Sequence, residues 1–194
     1  MFKVLVSALL LTILLFNKPV YSEDTEQTPV TKKLEAVKVQ IEFDNGSSHG
    51  SGFYIGKNQF VTASHVVKRF LDNANSKMFI VSGDWKEPAK LLVYDQLDDL
   101  AIITVENDHE LMKYDIKCEK PTEGTGINIQ GFPDIQDLTT QRGMIIALSD
   151  RFGMWKNVFI ETTNLGPGVS GGPVTDNQNN ILGIVVGVAK TNWG

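Results

Sequence analysis

Gly166-Pro167-Gly168-Val169-Ser170-Gly171-Gly172-Pro173-Val174 is the stretch on which the reading of this 194-residue chain turns. A serine set among four glycines, just ahead of a β-branched run, is what an acyl-transfer enzyme needs around its nucleophile. Glycines let a backbone turn sharply and bring its N–H groups up to a ligand, because no Cβ stands in the way. The amides of Gly168 and Ser170 can then form an oxyanion hole, a pair of fixed dipoles that stabilise a tetrahedral intermediate. The plain alternative is a glycine-rich turn between two strands. Serine alone does not separate the two readings, because its hydroxyl is a poor nucleophile until a base takes the proton.

Working back towards the N-terminus, the chain supplies that base and its orienting acid. His65 lies in Ala63-Ser64-His65-Val66-Val67, where a strand ends and a short helical turn through Phe70 begins. Asp99 ends the run Asp95-Gln96-Leu97-Asp98-Asp99, immediately before the apolar Leu100-Ala101-Ile102-Ile103-Thr104-Val105, which reads as a buried strand. The order His, Asp, Ser is one of the recurring orders of the catalytic triad. Each residue falls at a strand end or in a loop, where a rigid scaffold can aim it. Asp98 is the neighbouring alternative to Asp99.

At these residues the chain resembles the chymotrypsin-like (trypsin-like) serine peptidases. Val61-Thr62-Ala63-Ser64-His65-Val66-Val67 is similar to their histidine motif, Asp99-Leu100-Ala101-Ile102 to their aspartate motif, and Gly168-Val169-Ser170-Gly171-Gly172-Pro173 to their serine motif. The nearest likeness is to the protease domain of the bacterial HtrA (Deg) proteins. It includes Gly50-Ser51-Gly52-Phe53, Gly131-Phe132-Pro133, Arg142-Gly143-Met144-Ile145 and Phe159-Ile160-Glu161-Thr162. The resemblance runs from about Ala36 to Val188. It implies an all-β fold of two six-stranded antiparallel barrels, with His65 and Asp99 contributed by the first and Ser170 by the second. It also implies roles: His65 as general base and then acid, Asp99 as its orienter, Ser170 as nucleophile, and Gly168 with Ser170 as oxyanion hole. The family places its acid directly before the Leu-Ala pair, which selects Asp99 over Asp98.

By position relative to Ser170, Asn164 is expected near the base of the specificity pocket. Val186, Gly187 and Val188 are expected to line one wall and pair with substrate backbone. No buried acid is placed to attract Lys or Arg, and Val185 is not the histidine of a glutamate-selective pocket, so small or medium apolar side chains are expected before the scissile bond. Val169 stands where trypsin-like zymogens carry an aspartate, so activation by that ion pair is not available. No PDZ-like region follows, and only six residues follow Val188, where the family has a last barrel strand and a terminal helix, so the expectation is either a second barrel closed unusually or a shortened form without its last strand.

The remaining segments are consistent with one exported domain. Residues 1–22 carry one cation, Lys3, then an apolar run from Val4 to Phe16, then Val20-Tyr21-Ser22, the layout of a secretory signal peptide cleaved after Ser22. An uncleaved anchor is the competing reading, although the run is short for a bilayer. Residues 23–34 are polar and read as a disordered lead. The protease domain is expected over 35–194, with a first barrel over about 35–112 and a second over about 122–194. Strands are expected at Val37–Asp44, Ser51–Gly56, Gln59–Thr62, Lys77–Val81, Ala89–Tyr94, Leu100–Val105, Gly126–Gln130, Thr139–Leu148, Val158–Thr163 and Ile181–Ala189. Asn107 to Glu123 is an irregular connection, and Asn45–Ser48 and Ser149–Gly153 are read as turns.

Composition narrows the function further. At 42% hydrophobic residues the chain can bury a real core. A net charge of −5 with no Lys/Arg cluster argues against nucleic acid as partner. Protein or peptide substrates, no cofactor and no stable membrane span after cleavage are expected, with export to the periplasm or beyond. The lone Cys118 excludes an internal disulfide framework. A metalloenzyme is poorly supported, because His49, His65 and His109 show no ligand spacing. An α/β-hydrolase elbow needs its histidine after the serine, and the last histidine is His109. The rival that remains is a catalytically inactive peptide-binding protein on the same fold.

Overall fold

The computed structural model describes residues 35–116, 120–134, 137–152, 155–161 and 165–187. The expected leader and lead (1–34), Cys118, Asn164 and Val188 lie outside the described residues. The chain runs through β1 (Val37–Phe43), β2 (Gly46–Gly56), β3 (Gln59–Thr62), α1 (Ser64–Asp72), β4 (Lys77–Ser82), β5 (Trp85–Asp95) and β6 (Leu100–Val105). It continues through β7 (Asp115–Ile116), β8 (Gly126–Gly131), β9 (Thr139–Phe152), β10 (Trp155–Glu161), β11 (Pro173–Asp176) and β12 (Asn180–Ile184).

Strands β1 to β6 close into a barrel in the order β1-β2-β3-β6-β5-β4. Its interior follows from period-two patterning: Val37, Val39 and Ile41 of β1 are buried, while Lys38, Gln40 and Glu42 between them are half-exposed. Phe60, Ile80, Ala101 and Ile103 point into the same core and are inaccessible to solvent. Helix α1 closes one end, burying Val66 and Val67 against the barrel while Lys68 and Asp72 pair on its exposed face at 2.8 Å. It runs to Asp72, two residues past the expected end at Phe70.

The second half is a six-stranded sheet in the order β10-β9-β8-β11-β12-β7. Ile127, Ile129, Ile145, Val169, Val174 and Val185 form its core. Antiparallel pairing was expected throughout, but β7 runs parallel to β12, with Asp115 opposite Asn180 and Ile116 opposite Ile181. That short strand lies in the connection expected to be irregular. Among the described residues, β10 and β7 remain the two ends of this sheet rather than closing on each other.

Several strands outrun their hydrophobic patterns. Strand β2 begins at Gly46 because Ser47 and Ser48, expected in a turn, pair with Glu42 and Ile41. Strand β9 reaches Phe152 through the expected turn at Ser149, since Ser149, Arg151 and Phe152 pair with Val158, Lys156 and Trp155 of β10. Strand β12 stops at Ile184. The next residue, Val185, turns its N–H to the Gly172 carbonyl and its carbonyl to the Gly171 N–H, locking the chain to the serine loop instead.

Candidate active site

The acid is positioned by a turn that few side chains tolerate. Asp99 sits at φ +51°, in the left-handed region that Asp and Asn enter more readily than most residues. This conformation turns its carboxylate inward, leaving it 4% exposed, whereas Asp98 points to solvent. Asp99 Oδ1 accepts from the Ser64 hydroxyl and the His65 N–H, both at 2.9 Å, and Oδ2 accepts from His65 Nδ1 at 2.8 Å. The Ser64 N–H donates to the Asp99 carbonyl at 3.1 Å. The cap residue of α1, Ala63, offers no side-chain acceptor, so Asp99 satisfies the Ser64 and His65 amides of the first turn from the turn between β5 and β6.

These contacts fix both protonation and tautomer. Burial is the largest influence on the Asp99 carboxyl and pushes its pKa up. The His65 ring and N–H, the charge attraction to His65 and the Ser64 hydroxyl together outweigh burial, holding it below the ordinary aspartate value. An ionised carboxylate only accepts, so Nδ1 carries the proton and donates. Nε2 is then the ring nitrogen available to take a proton, and the ring is partly exposed, with 43% of its side-chain surface open.

Ser170 stands on a loop whose carbonyls are pinned one after another. The Pro167 carbonyl accepts from the Asp134 N–H at 2.7 Å, and the Val169 carbonyl accepts from the Gly172 N–H at 2.9 Å. In a trans peptide the N–H points opposite to the C=O, so both bonds turn the Gly168 and Ser170 amides away from the protein body. Among the described residues neither of those amides has an acceptor. Gly168 has φ +96°, and a Cβ there would meet the Phe132 carbonyl at 2.3 Å, so no other residue fits. The same reasoning holds at Gly171, at φ +82° and 2.3 Å from the Ser51 carbonyl.

The serine loop abuts the elements that carry His65. The Ser170 carbonyl accepts from the Ser51 N–H at 2.7 Å. At Gly50 an added Cβ would lie 2.5 Å from Val66, the residue after His65, and 3.0 Å from the Ser170 carbonyl. A cleft of about 340 Å³ opens beside His65 and Asp99, lined also by Ser64, Lys68, Tyr94, Gln96 and Val186. Val186 thus faces the cleft with the histidine, and Gly187 is exposed beside it. Lys68, Tyr94 and Gln96 were not anticipated. They are polar residues on a helix face and a hairpin, and nothing local marks them as cleft residues.

The other histidines go elsewhere. His49 Nε2 lies 3.0 Å from the Phe132 carbonyl, and His109 stacks on Trp85 at 3.9 Å with Glu87 at 3.1 Å. Among the described residues no three of His, Cys, Asp and Glu gather as metal ligands. Among them, too, no helix is long and apolar enough to cross a membrane.

A closed six-stranded barrel followed by a second β-sheet, with the candidate residues where the halves meet, is the chymotrypsin-like protease fold. Residues 50–184 match the trypsin-like peptidase domain, and the chain belongs to that family. Its fold is similar to the crystal structure of the active form of the Rv3671c protease from M. tuberculosis, with a TM-score of 0.70 at 23% identity, covering 81% of this chain and 72% of that one. It is also similar to the serine endoprotease from Yersinia pestis, with a TM-score of 0.64 at 21% identity, covering 79% of this chain and 53% of that one. Among curated sequences it is 29% identical over 171 residues to the uncharacterized protein y4bJ of Sinorhizobium fredii. That match takes in 84% of this chain but spans only 26% of the relative's length.

Proposed function

We propose that the protein is an exported serine endopeptidase in which His65, Asp99 and Ser170 form the triad. The observation that carries this reading is the buried Asp99 carboxylate holding His65 Nδ1 at 2.8 Å, which presets the imidazole as a base at Nε2. In this mechanism His65 Nε2 removes the Ser170 Oγ proton as the oxygen attacks the scissile carbonyl. The oxyanion settles against the Gly168 and Ser170 amides. His65 then protonates the departing amine, leaving an acyl-enzyme that water hydrolyses by the same route in reverse. Asp99 stays ionised throughout and stabilises the imidazolium.

Substrates are proteins or peptides with a small or medium apolar side chain before the scissile bond. Val186 and Gly187 offer the edge against which the substrate backbone lies. The apolar run at Val4–Phe16 supports export to the periplasm or the medium.

The test is mass spectrometry of the purified protein after reaction with a fluorophosphonate. A single adduct on Ser170, absent from Ser170→Ala and strongly slowed in His65→Ala, is the expected result. A folded protein that takes up no adduct would leave peptide binding without turnover as the function of this fold.

A further inference from the structure

We propose that the Ser51 hydroxyl is the positioning residue of the oxyanion loop, acting from the first barrel as the latch that holds the serine loop in its working shape. This rests on the peptidase reading above. Ser51 lies in mid-strand β2 and is inaccessible to solvent, and each of its polar groups is spent on the neighbourhood of the serine. Its Oγ donates to the Gly168 carbonyl at 2.8 Å and accepts from the Phe132 N–H at 3.0 Å. Its N–H donates to the Ser170 carbonyl at 2.7 Å, and its own carbonyl accepts from the Thr62 hydroxyl at 2.7 Å.

The consequence lies in the peptide between Gly168 and Val169. Glycine at φ +96° allows that peptide to rotate at little cost, because no side chain resists. That peptide joins the Pro167–Gly168 and Val169–Ser170 peptides, which carry the two oxyanion N–H groups, so its rotation would turn the Gly168 carbonyl and the Val169 N–H and change how those two N–H groups lie relative to each other. The flanking carbonyls of Pro167 and Val169 are held by backbone N–H groups, but the Gly168 carbonyl is held by a side chain, the Ser51 hydroxyl. Val169 adds a second anchor, 2% exposed among Ile127, Ile129 and Val174, but an apolar side chain fixes depth and not the direction of a carbonyl. Phe132, whose N–H the same hydroxyl accepts, belongs to the turn that supplies the Asp134 N–H to Pro167. One hydroxyl therefore ties β2, the 131–134 turn and the serine loop at a single point.

Ser51→Ala removes the hydroxyl without adding bulk. Saturation kinetics with a fluorophosphonate separate binding from attack. The maximal labelling rate of Ser170 should fall about tenfold to a hundredfold, since misplacing a reacting group by about an ångström costs on that order, while the half-saturating concentration stays within about twofold. Amide hydrogen exchange in a Ser170→Ala background reads the latch independently of any reaction. Adding Ser51→Ala should speed exchange at the Asp134 and Gly172 amides at least tenfold and leave Val39 in the barrel core unchanged. A labelling rate and loop exchange both within twofold of the parent would overturn the latch. So would equal acceleration at Val39, which would make Ser51 a general stabiliser. A parent protein that does not label at all overturns the peptidase reading, and the exchange data then decide the latch alone.

Discussion

At the scale of single residues, Asp99 carries two duties that its geometry makes inseparable. Its carboxylate orients His65 and also caps the first turn of α1, so its charge contributes to both site and fold. Asp99→Asn keeps a residue tolerant of the left-handed backbone, and it should fold. It would present an amide to Nδ1, favour the wrong tautomer and lower the rate of Ser170 labelling by about four orders of magnitude. The sign of the pH effect follows from the folded-state pKa lying below the unfolded one. The stabilisation from ionised Asp99 is complete above the ordinary aspartate pKa of about 3.9 and is lost as pH falls through the depressed folded value. Urea unfolding between pH 6 and pH 2 should show a steeper acid-side loss in the parent than in Asp99→Asn. Parallel profiles would remove Asp99 from the account of acid stability.

The same residue shows what was readable beforehand. The Asp-Leu-Ala string selected Asp99 over Asp98 only through family likeness, because adjacent aspartates are alike in composition and spacing. The physical distinction is a backbone angle of +51° that buries one and exposes the other. Ser51 falls in a Gly-Ser-Gly string that resembles a family landmark, but the carbonyl its hydroxyl reaches lies 117 positions away in the chain. No local pattern reports a bond of that span.

At the scale of elements, period-two alternation located the strands whose one face is buried, such as β1 and β8. It missed extensions held by backbone pairing alone. Residues Ser149 to Phe152 of β9 have turn-like composition, yet they stay extended because β10 pairs alongside. The two-residue β7 carries no periodicity to detect. The serine loop was legible for the opposite reason, since its glycines are demanded one by one. Gly168→Ala puts a Cβ 2.3 Å from the Phe132 carbonyl and 2.6 Å from His49 Nε2. The loop must move to accept it. Labelling of Ser170 should fall at least a hundredfold, comparable to losing an oxyanion donor, while far-ultraviolet circular dichroism stays that of the parent. Labelling within threefold of the parent would mean that the loop's observed shape is not the reactive one.

At the scale of the whole molecule, the proposed triad requires the halves to be held in register, because His65 and Asp99 lie in one and Ser170 in the other. Besides Ser51, the clearest tie is Gln130 on β8. Its Oε1 accepts the Ala36 N–H at 3.0 Å, just ahead of β1, and the Tyr114 hydroxyl at 2.7 Å, in the connection between the halves. Tyr114 is 3% exposed and meets Phe53 of β2 edge-on at 5.4 Å; its burial, reinforced by the charge of Glu35, raises its pKa and keeps the hydroxyl a donor. Gln130→Ala would leave two donors facing a void where their acceptor stood. A buried donor left unsatisfied costs about 1–3 kcal/mol. Ala36 is 1% exposed, so water does not readily take the acceptor's place there either, and with two donors stranded a loss of about 2–6 kcal/mol is expected in urea unfolding. The form of the transition carries further information. If the halves stabilise each other through this contact, unfolding of Gln130→Ala stays a single transition at lower urea, or separates into two as the second sheet loosens first. A midpoint unchanged from the parent would shift the burden of alignment onto the Ser51 N–H and the Ser170 carbonyl, the tie nearer the chemistry.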